Sequence, residues 1–184
     1  MTRLIRYWAI ALLLGGSLVQ LHASPPEEVV KCAFLYNFAK FVKWPDQAFE
    51  SPTSPINVGF VGGASFSNTF REAVKGRNTA GRDFVVKTLV GVSGIQDCQI
   101  VFIGDETQMG LVIQELSGKP VLIVGEAEGL LDAGGAIRLF KENGKIAFDI
   151  NIAAAKAADL QLDSRLLSLA KRPRKVGLEK GQSS

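Results

Sequence analysis

Activated nucleophiles, proton relays and transition-metal sites lean on histidine and cysteine. This chain has one histidine, His22, and two cysteines, Cys32 and Cys98. His22 sits at the end of an apolar N-terminal run that has the form of an export leader, so the expected mature chain has no histidine. That excludes Ser-His-Asp and Cys-His nucleophiles, histidine-ligated zinc and a histidine pH switch. In an oxidising compartment Cys32 and Cys98 pair if the fold brings their Cα atoms within about 7 Å. The alternative is two small buried residues that never meet.

Carboxylates are the next chemistry. Asp105, Glu106, Glu126, Glu128 and Asp132 all follow apolar runs with strand character, at the edge where open α/β sheets hold ligands. Such a cluster suits Mg²⁺, Ca²⁺ or acid–base work, but the spacing matches no known cation loop, and solvated loop acids are the simpler reading. Val61-Gly62-Gly63-Ala64-Ser65 joins a strand to a helix and offers backbone N–H groups to an anion. It is neither G-x-G-x-x-G nor a P-loop and no phosphate-reaching lysine follows, so a glycine turn with Ser65 as helix cap is simpler. Phe34, Phe38 and Phe41, with Trp44, form a stripe that either lines a pocket or packs as core.

The elements that position these residues follow from periodicity. Glu27 to Lys43 predicts an N-terminal helix, with acids in its first turn and lysines in its last. Val30, Phe34, Phe38, Phe41 and Val42 share one stripe, and Leu35, Tyr36 and Ala39 make further faces apolar, so the helix should be covered on more than one side. Trp44-Pro45 ends it. Strands are expected at Ile56–Gly62, Asp83–Val90, Cys98–Gly104 and Lys119–Gly125, with helices at Phe66–Lys75 and Thr107–Leu116 between them. That alternation predicts an α/β fold with a central, largely parallel sheet and helices on both faces. Ala136–Lys141 and Lys145–Asn151 flank Glu142-Asn143-Gly144, which predicts a C-terminal β-hairpin whose alternation suits a half-covered edge. Helices at Ile152–Ala158 and Ser164–Lys171 complete the domain.

Arg3 and Arg6 precede a short apolar run from Trp8 to Leu21, broken by Gly15 and Gly16 and closing on His22-Ala23. That order is a secretory signal peptide over residues 1–23, cleaved after Ala23. One α/β domain is expected over 24–170, followed by a basic, disordered tail over 171–184. No later run is long and apolar enough for a membrane span. The net charge of +3 belongs to the ends. With Arg3 and Arg6 removed, and the tail's Lys171, Arg172, Arg174, Lys175 and Lys180 set against Glu179, the folded body carries about −3, which argues against nucleic acid as a partner.

The run Lys31-Cys32-Ala33-Phe34-Leu35-Tyr36-Asn37-Phe38-Ala39-Lys40-Phe41-Val42-Lys43-Trp44-Pro45 resembles the opening block of YfiR-like proteins. Cys98 to Gly104, Pro120 to Gly125, Gly134-Gly135, Phe148-Asp149-Ile150-Asn151 and Ser164 to Ala170 resemble its later blocks in the same order. The resemblance implies a periplasmic, non-catalytic α/β protein without a cofactor, often dimeric. Its partner would be an inner-membrane sensor, a diguanylate cyclase or a histidine kinase; the characterised type restrains a cyclase and lowers cyclic-di-GMP signalling. Phe34, Tyr36, Asn37, Phe38, Phe41, Trp44, Pro45 and Arg165 carry over as motif residues, of the core or of a partner surface. Some relatives have a cysteine in the first sheet strand as well as one equivalent to Cys98. Here Gly59 stands in that strand, so that bridge cannot form, and a substitute role for Cys32 is open. The other functional class that fits is an envelope small-ligand-binding protein, motivated by the glycine loop and the acidic strand ends.

Overall fold

The computed structural model describes residues 25–174. The expected leader, its cleavage point and the tail from residue 175 lie outside them. In chain order the elements are α1 (Glu27–Phe41), β1 (Val42–Lys43), β2 (Ile56–Val61), α2 (Ala64–Val74), β3 (Asn78–Thr79), β4 (Arg82–Leu89), β5 (Ile100–Ile103), α3 (Met109–Glu115), β6 (Leu122–Gly125) and α4 (Leu130–Ala133). There follow β7 (Ile137–Glu142), β8 (Lys145–Asn151), α5 (Ile152–Ala157), β9 (Gln161–Leu162), α6 (Ser164–Leu169) and β10 (Pro173–Arg174). None of the helices is long and apolar enough to cross a membrane among the described residues.

The main sheet runs β10-β8-β7-β6-β5-β2-β4-β3. Its centre, β4-β2-β5-β6-β7, is parallel throughout, and the β7/β8 and β3/β4 hairpins are antiparallel. The expected largely parallel sheet with helices on both faces is therefore present. Strand alternation sorts the core into two clusters. Val58, Phe60, Ile100, Phe102, Leu122, Val124, Ile137 and Leu139 face α1 and α2, meeting Leu35, Phe38, Phe66 and Phe70. Val61, Val101, Ile103 and Ile123 face the other way, against Val112 and Leu116 of the α3 segment and Leu130 of α4. Because β5 and β6 are buried on both faces, their sequence is apolar without alternation.

Three expectations need correction. The first helix stops at Phe41, because Val42 turns extended (φ −104°, ψ 136°) and Val42–Lys43 pair with Leu162 and Gln161. Ser65 is not a helix cap: α2 starts at Ala64 after Gly63 in the left-handed region (φ 68°), and the Ser65 hydroxyl donates to Glu28. The hairpin turn is as expected, with Asn143 and Gly144 at φ 51° and 77°, but β7 is interior and β8 carries β10 beside Ile150 and Asn151. The ordered chain consequently passes the expected boundary at Ala170: Lys171 N donates to Phe148 O at 2.9 Å, and the backbone pairs through Arg174.

The cysteines take the second of the two readings open to them, two small buried residues that never meet. Both are free and buried, Cys32 in the cluster under α1 and Cys98 in the cluster on the opposite face. The sheet lies between them, so they do not pair. Burial pushes each thiol up to about 11, which keeps both protonated at neutral pH.

Candidate functional site

The motif residues of α1 divide between core and surface. Phe38 is fully buried and stands edge-on to Phe148 at 5.1 Å between centroids, with Phe34 against the same ring at 5.5 Å. Tyr36 packs on Phe84, receives Arg77 over its ring, and donates to Asn78 O. Trp44 Nε1 donates to Gln99 O at 3.1 Å, and half-buried Pro45 opens the turn that follows. Sequence reasoning missed Gln99 as a hub: its buried side chain also donates to Ala48 O and accepts from Asn57 N, locking the Trp44 loop to the sheet. Asn37 and Lys40, by contrast, are exposed on α1, and Phe41 is half-buried beside them.

Phe41 meets Arg165, 124 positions later, because the chain folds the start of α6 onto the end of α1. Asp163 N donates to Phe41 O at 2.9 Å, and β1 pairs with β9 just before it. Asp163 then caps α6, accepting from Arg165 N at 2.9 Å. The same carboxylate takes Arg165 Nε at 2.9 Å and Nη2 at 2.8 Å, a bidentate clamp that sets the guanidinium 4.8 Å over the Phe41 ring. The Arg165 guanidinium holds the Asp163 carboxyl far below the usual carboxylate range, and Asp163 in turn raises Arg165. Although so constrained, the Arg165 side chain is 71% exposed. A hollow of about 250 Å³ is lined by Phe41, Lys40, Lys43, Asp163 and Arg165. Three cations against one anion make it electropositive.

The other sequence candidates are accounted for by internal contacts or lie elsewhere. At the ends of β2 and β5 the backbone fills its own crevice: Gly104 N and Asp105 N both donate to Val61 O, and a Cβ on Gly62 would fall 2.8 Å from Asp105 N. The start of α2 already faces an anion, since Glu28 accepts from the Ser65 and Thr69 hydroxyls. Asp105 caps its own turn through Thr107, and Glu126 pairs with Lys31 at 2.9 Å. Burial pulls the Lys31 ammonium down, but Glu27 and Glu126 outweigh it and leave it raised. Glu106 shares a hollow of about 240 Å³ with Lys31 and Glu126. Glu128 and Asp132 lie apart, beside Arg138 and Asp149. Among the described residues no three His, Cys, Asp or Glu side chains group as a metal site.

Comparison with known proteins adds three findings. The profile of the YfiR/HmsC-like family matches residues 28–171. No curated protein matches the chain. Among solved structures, a conserved domain protein from Vibrio cholerae O1 biovar El Tor superposes with a TM-score of 0.46 at 13% identity, over 79% of this chain and 60% of that one. The chain thus spans less than two thirds of that protein's length.

Proposed function

The chain belongs to the YfiR/HmsC-like family, whose members are periplasmic regulators of diguanylate cyclase signalling, and from this premise we propose that it is an exported, non-catalytic regulator of the periplasmic part of an inner-membrane sensor. The sensor in this reading is a diguanylate cyclase, which the protein restrains, lowering cyclic-di-GMP in the cytoplasm.

The observation that carries the reading is the clamp of Arg165 over Phe41. Arginine and aromatic side chains dominate the energetics of protein interfaces, and a long side chain usually loses rotamer freedom on docking. Here Asp163 fixes the guanidinium in advance while leaving it exposed. The surface also unites two of the sequence blocks that define the resemblance, around Phe41 and around Arg165. A partner of complementary chemistry is an acidic, aromatic-bearing segment of the sensor.

Restraint across a membrane needs only unequal affinity for the sensor's two states; a 100-fold shift in their populations corresponds to about 2.7 kcal/mol, and an interface of ordinary size supplies that. Capture from envelope membranes tests the surface. Arg165→Ala should reduce recovery of the sensor about tenfold or more while the melting temperature stays within about 2 °C of the parent. Undiminished capture by Arg165→Ala refutes this surface.

A further inference from the structure

On the sheet face away from α1, a hollow of about 320 Å³ opens between α3, α4 and α5. Its walls are mostly aliphatic and include Ile113, Leu116, Leu131, Ala154, Ala157 and Ala158. The alanines make the space, because α5 brings single methyl groups to this face where α2 brings Phe66 and Phe70 to the other. The buried amide of Asn151 at its floor is already engaged: Nδ2 donates to Leu131 O at 2.8 Å, and Oδ1 accepts from Ala154 N at 3.0 Å. What the wall offers an occupant is therefore mainly apolar surface.

One segment of the chain is delivered to this hollow. β10 runs parallel to β8 with Arg174 opposite Asn151, one strand spacing of about 4.8 Å away, and Asn151 lines the hollow. β8 continues through Ile152 into α5, so β10 is headed for the start of α5, where Ala153 and Ala154 belong to the wall. Partners in register share a face of the sheet. Ile150 is in the core under α1, and Asn151, its neighbour, is on the opposite face with α4. A strand continued from Arg174 thus brings positions 176 and 178 to the face of the hollow. Those positions hold Val176 and Leu178, the only large apolar residues in 175–184. Leu178 comes up to about 13 Å past Arg174, and α5, six residues long, measures about 9 Å, so the reach covers its whole wall. By composition the segment has no core of its own to join; the hollow supplies one.

We propose that residues 175–178 continue β10 over this hollow as an intramolecular latch, seating Leu178 against Ala154 and Ala157 with Val176 beside it. The family profile stops at Lys171, so the latch lies past the matched stretch, and its test is independent of the regulator reading. In the purified protein, methyl-labelled for NMR, the Leu178 methyls should contact the Ala154 and Ala157 methyls. Mixing labelled with unlabelled protein separates contacts within one molecule, which are expected, from contacts between copies. Leu178→Ser should abolish the contacts of Val176 with the same wall and speed tryptic cleavage after Lys175 about tenfold. Ala157→Leu, at an exposed position, narrows the hollow without touching the core and should speed cleavage likewise. The proposal is overturned by contacts that form only between copies, or by order parameters for 176–178 below about 0.6, the range of a flexible chain. Cleavage that Leu178→Ser leaves unchanged, or contacts of Leu178 with Ala154 that persist in Ala157→Leu, would overturn it equally.

Discussion

Replacing Gly59 by cysteine should create a disulfide with Cys98. A Cβ at Gly59 falls 2.9 Å from Cys98 Sγ and 3.7 Å from Cys98 Cβ, and bridged cysteines have Cβ atoms about 3.8 Å apart. The same Cβ meets Leu89 Cδ1 at 2.8 Å. That atom is the end of a flexible side chain, so the reduced variant should lose about 1–3 kcal/mol to overpacking. Closing a loop of about 40 residues removes about 13 cal/mol/K from the unfolded chain, about 4 kcal/mol at 25 °C. The oxidised variant should therefore melt roughly 8–16 °C above its reduced form and exceed the parent by about 1–3 kcal/mol. Thermal unfolding with and without reductant, paired with thiol titration in denaturant, measures both. The parent should titrate two thiols, as its free cysteines require, and the oxidised variant only that of Cys32. Three titratable thiols after oxidation, or no gain in melting temperature, would refute the placement of Cys98 beside β2.

Phe38→Ala, which empties the space between α1 and Phe148, should cost about 3–5 kcal/mol, measured as a fall in the urea midpoint; an unchanged midpoint would move Phe38 from the core to the surface. The Asp163–Arg165 clamp sets a pH window. Because the folded-state pKa of Asp163 is lowered, the unfolded chain binds more protons there. The clamp's contribution is thus complete above the unfolded carboxylate value of about 3.9 and disappears as pH falls through the folded one. Sensor capture should accordingly stay level from about pH 7 to pH 5, and a drop across that range that Asp163→Asn abolishes would contradict the clamp.

Much of the fold was legible because burial on two faces and burial on one leave different patterns. The unbroken apolar runs of β5 and β6, the mostly apolar run of β2 around Asn57, and the Asn143-Gly144 turn make the sheet and the hairpin legible. Short pieces were not legible: β1, β3, β9 and β10 have two residues each, too few for any period, and they form through tertiary pairing. The end of α1 at Phe41 is hidden in the sequence for that reason, since the partner strand β9 comes about 120 residues later. The Arg165–Phe41 contact was legible only as two separate motif blocks. The Arg138–Asp149 pair was within reach. Counting outward from the two-residue turn at Asn143-Gly144 places these opposite charges across from each other. For the cysteines, spacing carries no information about which face of a sheet each one occupies.

The central claim is restraint of a membrane cyclase, and the cellular level of cyclic-di-GMP measures it most directly. The level should rise in a strain lacking this protein and return to baseline when the cyclase captured with it is deleted as well. Expression of the parent protein in the single-deletion strain should lower it again, and expression of Arg165→Ala should not. A cyclic-di-GMP level unchanged by loss of the protein would contradict the account.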